Sequence, residues 1–168
     1  MIPAEFADLT GAGLDLRAWA VAHCRTMDDA WTTARSDWLV WIATRPSVLD
    51  DRTLRKFAVW CARHVQHLMT DPRSLSALDV AERHADGQAT DEELESARIA
   101  AGSVSEAATW AVALAAAWAA ALAAAWAAAW YSAEVSAEVA LSRAAQAAWL
   151  RENATPDWER VRKMGGAR

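Results

Sequence analysis

Five residues on one stretch of the chain have the types and spacing to act together: Arg52, Lys56, Trp60, Arg63 and His67. On a helix turning about 100° per residue they share roughly 80° of arc. An indole would then stand among three permanent cations and a titratable imidazole. Cations draw carboxylate or phosphate, and an aromatic plane stacks a base or a cation. The stripe therefore reads as a candidate ligand or partner surface for something anionic. The competing reading is that Trp60 packs beneath another helix while the charges face solvent, the commoner role for such residues.

Metal chemistry is a second possibility on the same stretch. Cys61, His64 and His67 follow at spacings of three, with His23 and Cys24 elsewhere. On the helical wheel His67 lies about 120° from Cys61, so one ion cannot collect all three, and no CxxC or HxxxH pair reinforces them. We expect no metal. Arg83-His84-Ala85-Asp86-Gly87 has a local explanation: cations suit the last turn of a helix, and Gly87 supplies its left-handed stop. No GxSxG, P-loop, HExxH or GxGxxG occurs. The reading is of a protein with no catalytic residues and no cofactor, hence not an enzyme.

The elements that must position these residues are helices. Pro3 to Leu9 predicts a short turn ended by Thr10-Gly11-Ala12-Gly13. Asp15 predicts a helix through Arg25, and Thr26 with Asp28 and Asp29 starts another with acids at its favourable end. Ser36-Asp37 opens the apolar stretch Trp38–Ala43, which by composition could be a buried strand but has nothing to pair with. The most amphipathic helix runs from Asp50 to about Met69, with Leu54, Phe57, Ala58, Cys61, Val65 and Leu68 on its core face. Asp71-Pro72 caps the next, Gly87 ends it, and Thr90-Asp91-Glu92-Glu93 reads as a capping box. Gly102 followed by Ser103-Val104-Ser105-Glu106 predicts a break or bend. The pattern then stays helical to about Glu152, is interrupted from Asn153 to Pro156, and ends in a short basic helix from Asp157 to Met164.

Between Glu106 and Glu134 the chain runs 27 residues without a charge, 17 of them alanine. Trp110, Leu114, Trp118, Leu122, Trp126 and Trp130 recur at a spacing of four. Each step advances about 40° on a helix, so the bulky stripe rotates roughly 200° over its length. A coiled-coil seam would hold its stripe nearly fixed with spacings of three and four. The tract must instead meet several neighbours in turn, as the central helix of a bundle, or meet its own copies. That assigns Trp110, Trp118, Trp126 and Trp130 to the core or to an assembly surface. A membrane span competes on length, but alanine inserts weakly, tryptophan prefers the interface, and the nearest charges on both sides are glutamates. A third reading is low-complexity drift of an Ala-Ala-Ala-Trp unit.

The fold class expected is all-α: a helical bundle with a long Ala/Trp-rich central helix. At 168 residues it reads as a single domain, with amphipathic helices over 1–101, the Ala/Trp-rich region over 103–153 and a basic tail over 154–168. A formal charge of −5 argues against nucleic acid as a partner. Fifteen of the 17 basic residues are arginine, the mark of a GC-rich genome. Two cysteines form no disulfide framework, and the N-terminus lacks a signal-peptide pattern, so a cytoplasmic protein is expected.

From about Asp37 to Ala101 the chain resembles a group of uncharacterised helical proteins from bacteria and phages, many with an alanine- and tryptophan-rich tail. The residues that carry the likeness are Asp37-Trp38-Leu39-Val40-Trp41, then Asp51-Arg52-Thr53-Leu54-Arg55 leading to Cys61-Ala62-Arg63. They continue with His67-Leu68-Met69-Thr70-Asp71-Pro72-Arg73-Ser74 and Val80-Ala81-Glu82-Arg83-His84-Ala85-Asp86-Gly87. Some members carry an immunity-protein label. The resemblance implies a non-catalytic binding protein, an immunity or anti-defence type inhibitor acting on another protein. Two alternatives come from the residues themselves: a binder or sponge for a small anionic ligand such as a nucleotide, and a self-assembling structural protein.

Overall fold

The structure, a computed structural model, describes residues 1–69, 71–102 and 133–166. Among them every regular element is a helix and there is no strand, so the all-α class holds. The helices are α1 (Pro3–Thr10), α2 (Leu14–His23), α3 (Met27–Thr33), α4 (Ser36–Ala43), α5 (Asp51–His64), α6 (Pro72–Ala85), α7 (Asp91–Gly102), α8 (Ala133–Asn153) and α9 (Trp158–Gly166). Most of the tract with Trp110, Trp118, Trp126 and Trp130 lies outside the described residues, as do any bend after Gly102 and the expected long central helix as far as residue 132; of that expected region the structure describes α8.

The breakers act where the residues place them. Pro3 opens α1, where its missing N–H is one the helix leaves unpaired anyway. Gly11, at φ 68°, closes it by donating its N–H to the Ala7 carbonyl at 3.0 Å. Thr26 caps α3 with a reciprocal box: its hydroxyl accepts from the Asp29 N–H, and the Asp29 carboxylate accepts from the Thr26 N–H at 2.9 Å. Thr90 and Glu93 repeat the device ahead of α7. Asp71 accepts from the Arg73 N–H at the start of α6, with Pro72 beside it. The Trp38–Ala43 stretch is helix.

Two helices in particular end differently from the sequence reading. Helix α2 starts after Gly13 and ends at His23, because Cys24 takes an extended conformation. Helix α5 stops at His64 instead of running to Met69. Val65 sits at φ −109°, ψ 9°, and the chain tightens into a 3-10 turn over Gln66–Leu68. Consequently Val65, placed on the core face by periodicity, is 43 % exposed.

The helices form two compact units. One holds Met1–Asp50 with the C-terminal helices α8 and α9. There α8 packs along α4, and α1 meets α2, α3 and α9. Its core joins Leu39, Ile42, Leu150 and Val161, each no more than 1 % exposed, to an aromatic cluster. Trp158 meets Phe6 edge-on at 5.8 Å and Trp31 at 6.1 Å between ring centroids. Its indole N–H donates to Asp28 Oδ1 at 2.8 Å, answering the polar handle that a buried tryptophan carries.

The other unit contains α5, α6 and α7. Val59 and Ala62 of α5 close on Leu78, Ala81 and Ala85 of α6, with Met69 and Leu94 against the edge. The small alanines let the helix axes approach closely.

Candidate functional site

The cationic stripe on α5 is, in three dimensions, one side of the seam between α5 and α6. Arg52 donates from Nε to the Ala85 carbonyl at 3.3 Å and from Nη2 to the Asp86 carbonyl at 3.2 Å. These are the last carbonyls of α6, at the end where the helix dipole favours a cation. Lys56 Nζ pairs with Asp86 Oδ1 at 2.7 Å, and that hydrogen bond holds the Asp86 carboxyl below its ordinary range. Arg63 donates from Nη2 to Asp79 Oδ1 at 2.7 Å, from Nε to Glu82 Oε2 at 3.1 Å, and from Nη1 to Gln66 Oε1 at 3.0 Å. Burial works against its charge, but the bonds to Asp79 and Glu82 outweigh burial and raise its pKa.

Trp60 is partly buried and lies nearly parallel to Phe57, with centroids 6.4 Å apart. The His64 ring lies 3.8 Å from it between centroids, tilted by 44°. His67 is exposed on the 3-10 turn. Of the five residues, Arg52, Lys56 and Arg63 thus converge on α6, and an external anion would compete with Asp79, Glu82 and Asp86 for two of them. Cys61 is 8 % exposed in the core while His64 and His67 face solvent. Among the described residues no group of three or more His, Cys, Asp and Glu could hold a metal ion. No described helix is long and apolar enough to cross a membrane.

A surface that the sequence reading passed over stands on α2. Leu14 is 84 % exposed and Val21 54 %, and Ala18 and Ala22 are exposed with them. Positions i, i+4, i+7 and i+8 share one helix face. The buried face of the same helix carries Leu16 and Ala20. Helix α2 is therefore apolar on two sides. Its flank bears a ladder of rings: Trp19 stacks on His23 at 6.0 Å and meets Trp38 at 5.1 Å, while the Arg35 guanidinium carbon lies 3.9 Å from the Trp38 ring centre. Arg35 is in turn held by Asp37 at 2.8 Å. On the opposite flank Arg17 pairs with Asp8. An apolar strip edged by ion pairs is the anatomy of a protein contact surface. Comparison with family models, with curated proteins and with solved structures yields no match for this chain.

Proposed function

We propose that the chain is a non-catalytic binding protein that engages another protein through the exposed face of α2, in the manner of an immunity or anti-defence type inhibitor. The observation that carries the reading is the strip Leu14, Ala18, Val21 and Ala22, left open to solvent on a helix whose other side is already buried. Two large aliphatic side chains spaced by alanines suit an apolar helix of the partner, which can approach closely over Ala18 and Ala22. The strip is about 12 Å long at 1.5 Å per residue, so it anchors a modest contact instead of an obligate one.

The test is capture with a tagged chain, followed by identification of the bound protein by mass spectrometry. The wild type should retain one dominant partner, and Leu14→Glu with Val21→Glu should release it while the circular dichroism spectrum stays unchanged. Retention of the same partner by the double variant would overturn the reading. Self-assembly is the second reading, since the same strip could meet a second copy. Light scattering separates the two: a mass that rises with concentration, and falls back in the double variant, would assign α2 to contacts between copies.

A further inference from the structure

Arg143 and Gln146 stand one turn apart on α8, hence on the same face. Gln146 is 6 % exposed, and its Oε1 is covered with no hydrogen-bond partner among the described residues. Arg143 is partly exposed as a residue, yet its Nε and Nη2 are covered and equally unanswered. The same unit treats its other inward-reaching arginines differently. Arg45 donates to the Trp41 carbonyl, Arg151 to those of Trp31 and Ala34, and Arg160 to that of Ser47. Covered donors and acceptors without partners are costly and uncommon in folded proteins, most of all on a charged group.

The chemistry of these three atoms defines what would answer them. Nε and Nη2 form the side edge of the guanidinium, whose two parallel N–H bonds grip a carboxylate or phosphate in bidentate fashion. Gln146 Oε1 can only accept, so it calls for a donor on the same ligand. We infer that Arg143 and Gln146 form a receptor for a small oxyanion that carries its own hydroxyl, phosphate being the chemistry that fits. Two phosphate oxygens take the guanidinium edge and the P–OH donates to Gln146. Sulfate presents the same oxygens but no hydroxyl at neutral pH. The site is independent of the α2 face and of the α5 stripe, whose cations are held by α6.

The direct readout is the Arg143 Nε resonance of the full-length protein, followed by NMR during titration with inorganic phosphate. The expected result is a saturable shift, with sulfate weaker by ~10-fold for want of the donated bond. Arg143→Gln should abolish phosphate binding measured by calorimetry, and Gln146→Leu should erase the preference over sulfate. Methyl phosphate distinguishes free from esterified sources. Binding that fades as its last hydroxyl ionises above pH ~6, while inorganic phosphate still binds, supports free phosphate with the donated bond; binding equal to that of inorganic phosphate at neutral pH overturns the requirement for a hydroxyl and with it the role of Gln146. A wild-type resonance that does not move overturns the proposal. So do equal responses to phosphate and sulfate that persist in Arg143→Gln, which mean an adventitious ion only.

Discussion

Trp158 shows what one side chain decides. It fills the space between Phe6 and Trp31 and hands its N–H to Asp28. Trp158→Ala should lower stability by ~3–5 kcal/mol, the range for deleting a buried aromatic, as a fall in the urea midpoint. Trp158→Phe should lose less, because Asp28 is exposed and water replaces the indole N–H. Acid sensitivity also begins with single groups. The hydrogen bond from Arg162 lowers the Glu5 carboxyl from its ordinary 4.5, and the N–H groups of Thr26 and Arg25 lower that of Asp29 from 3.8. A carboxyl held lower in the folded state stabilises the fold above its ordinary value, and that contribution is lost as pH falls through the lowered one. Glu5→Gln with Asp29→Asn should therefore flatten the loss of stability on acidification below about pH 4.5, measured by denaturant titration at a series of pH values. Of the candidate residues, Arg52, Lys56 and Arg63 were visible from spacing alone. Their partners Asp79, Glu82 and Asp86 were not, because helical periodicity describes one helix and says nothing about which face of another it meets.

At the scale of elements, caps and breakers carried most of the information. Gly87, at φ 78°, stops α6 where a side chain would be strained but would touch nothing. Gly87→Ala should thus cost only the backbone term, about 1 kcal/mol, read as a drop in thermal midpoint without loss of helix content. The seam of α5 with α6 is different in kind. Arg63→Ala removes the bonds to Asp79 and Glu82, but the side chain is 27 % exposed and its partners more so. A loss of ~1 kcal/mol or less by denaturant titration is expected, and much of it should vanish at high salt. The failures at this scale have a physical cause too. Val65 fits the apolar period of α5, yet the chain leaves the α-helix there, so periodicity carried on past the true end. Helix α2 failed in the other direction: its caps were placed within two residues, but alanines on both sides hid which face would be buried.

For the molecule as a whole, α5, α6 and α7 form a core of their own, apart from the one that α1–α4 build with α8 and α9. Destabilising the second of these should leave the first protected. In Trp158→Ala, hydrogen exchange is expected to quicken across α1, α3, α4 and α8 while Val59, Ala62, Leu78 and Ala81 exchange as in the wild type. Uniform acceleration along the whole chain would show one cooperative unit instead. The amino-acid sequence by itself determined the helical class and, among the described residues, the order of the helices and most of their ends, because prolines, glycines and capping side chains act on their immediate neighbours. It also determined the charge balance and the absence of recognisable catalytic signatures. Only the tertiary structure decided that the cations of α5 answer α6, that Leu14 and Val21 stay in solvent, and that Arg143 and Gln146 are covered without partners. Each of these depends on which surfaces meet across long stretches of chain, and local propensity carries no record of that.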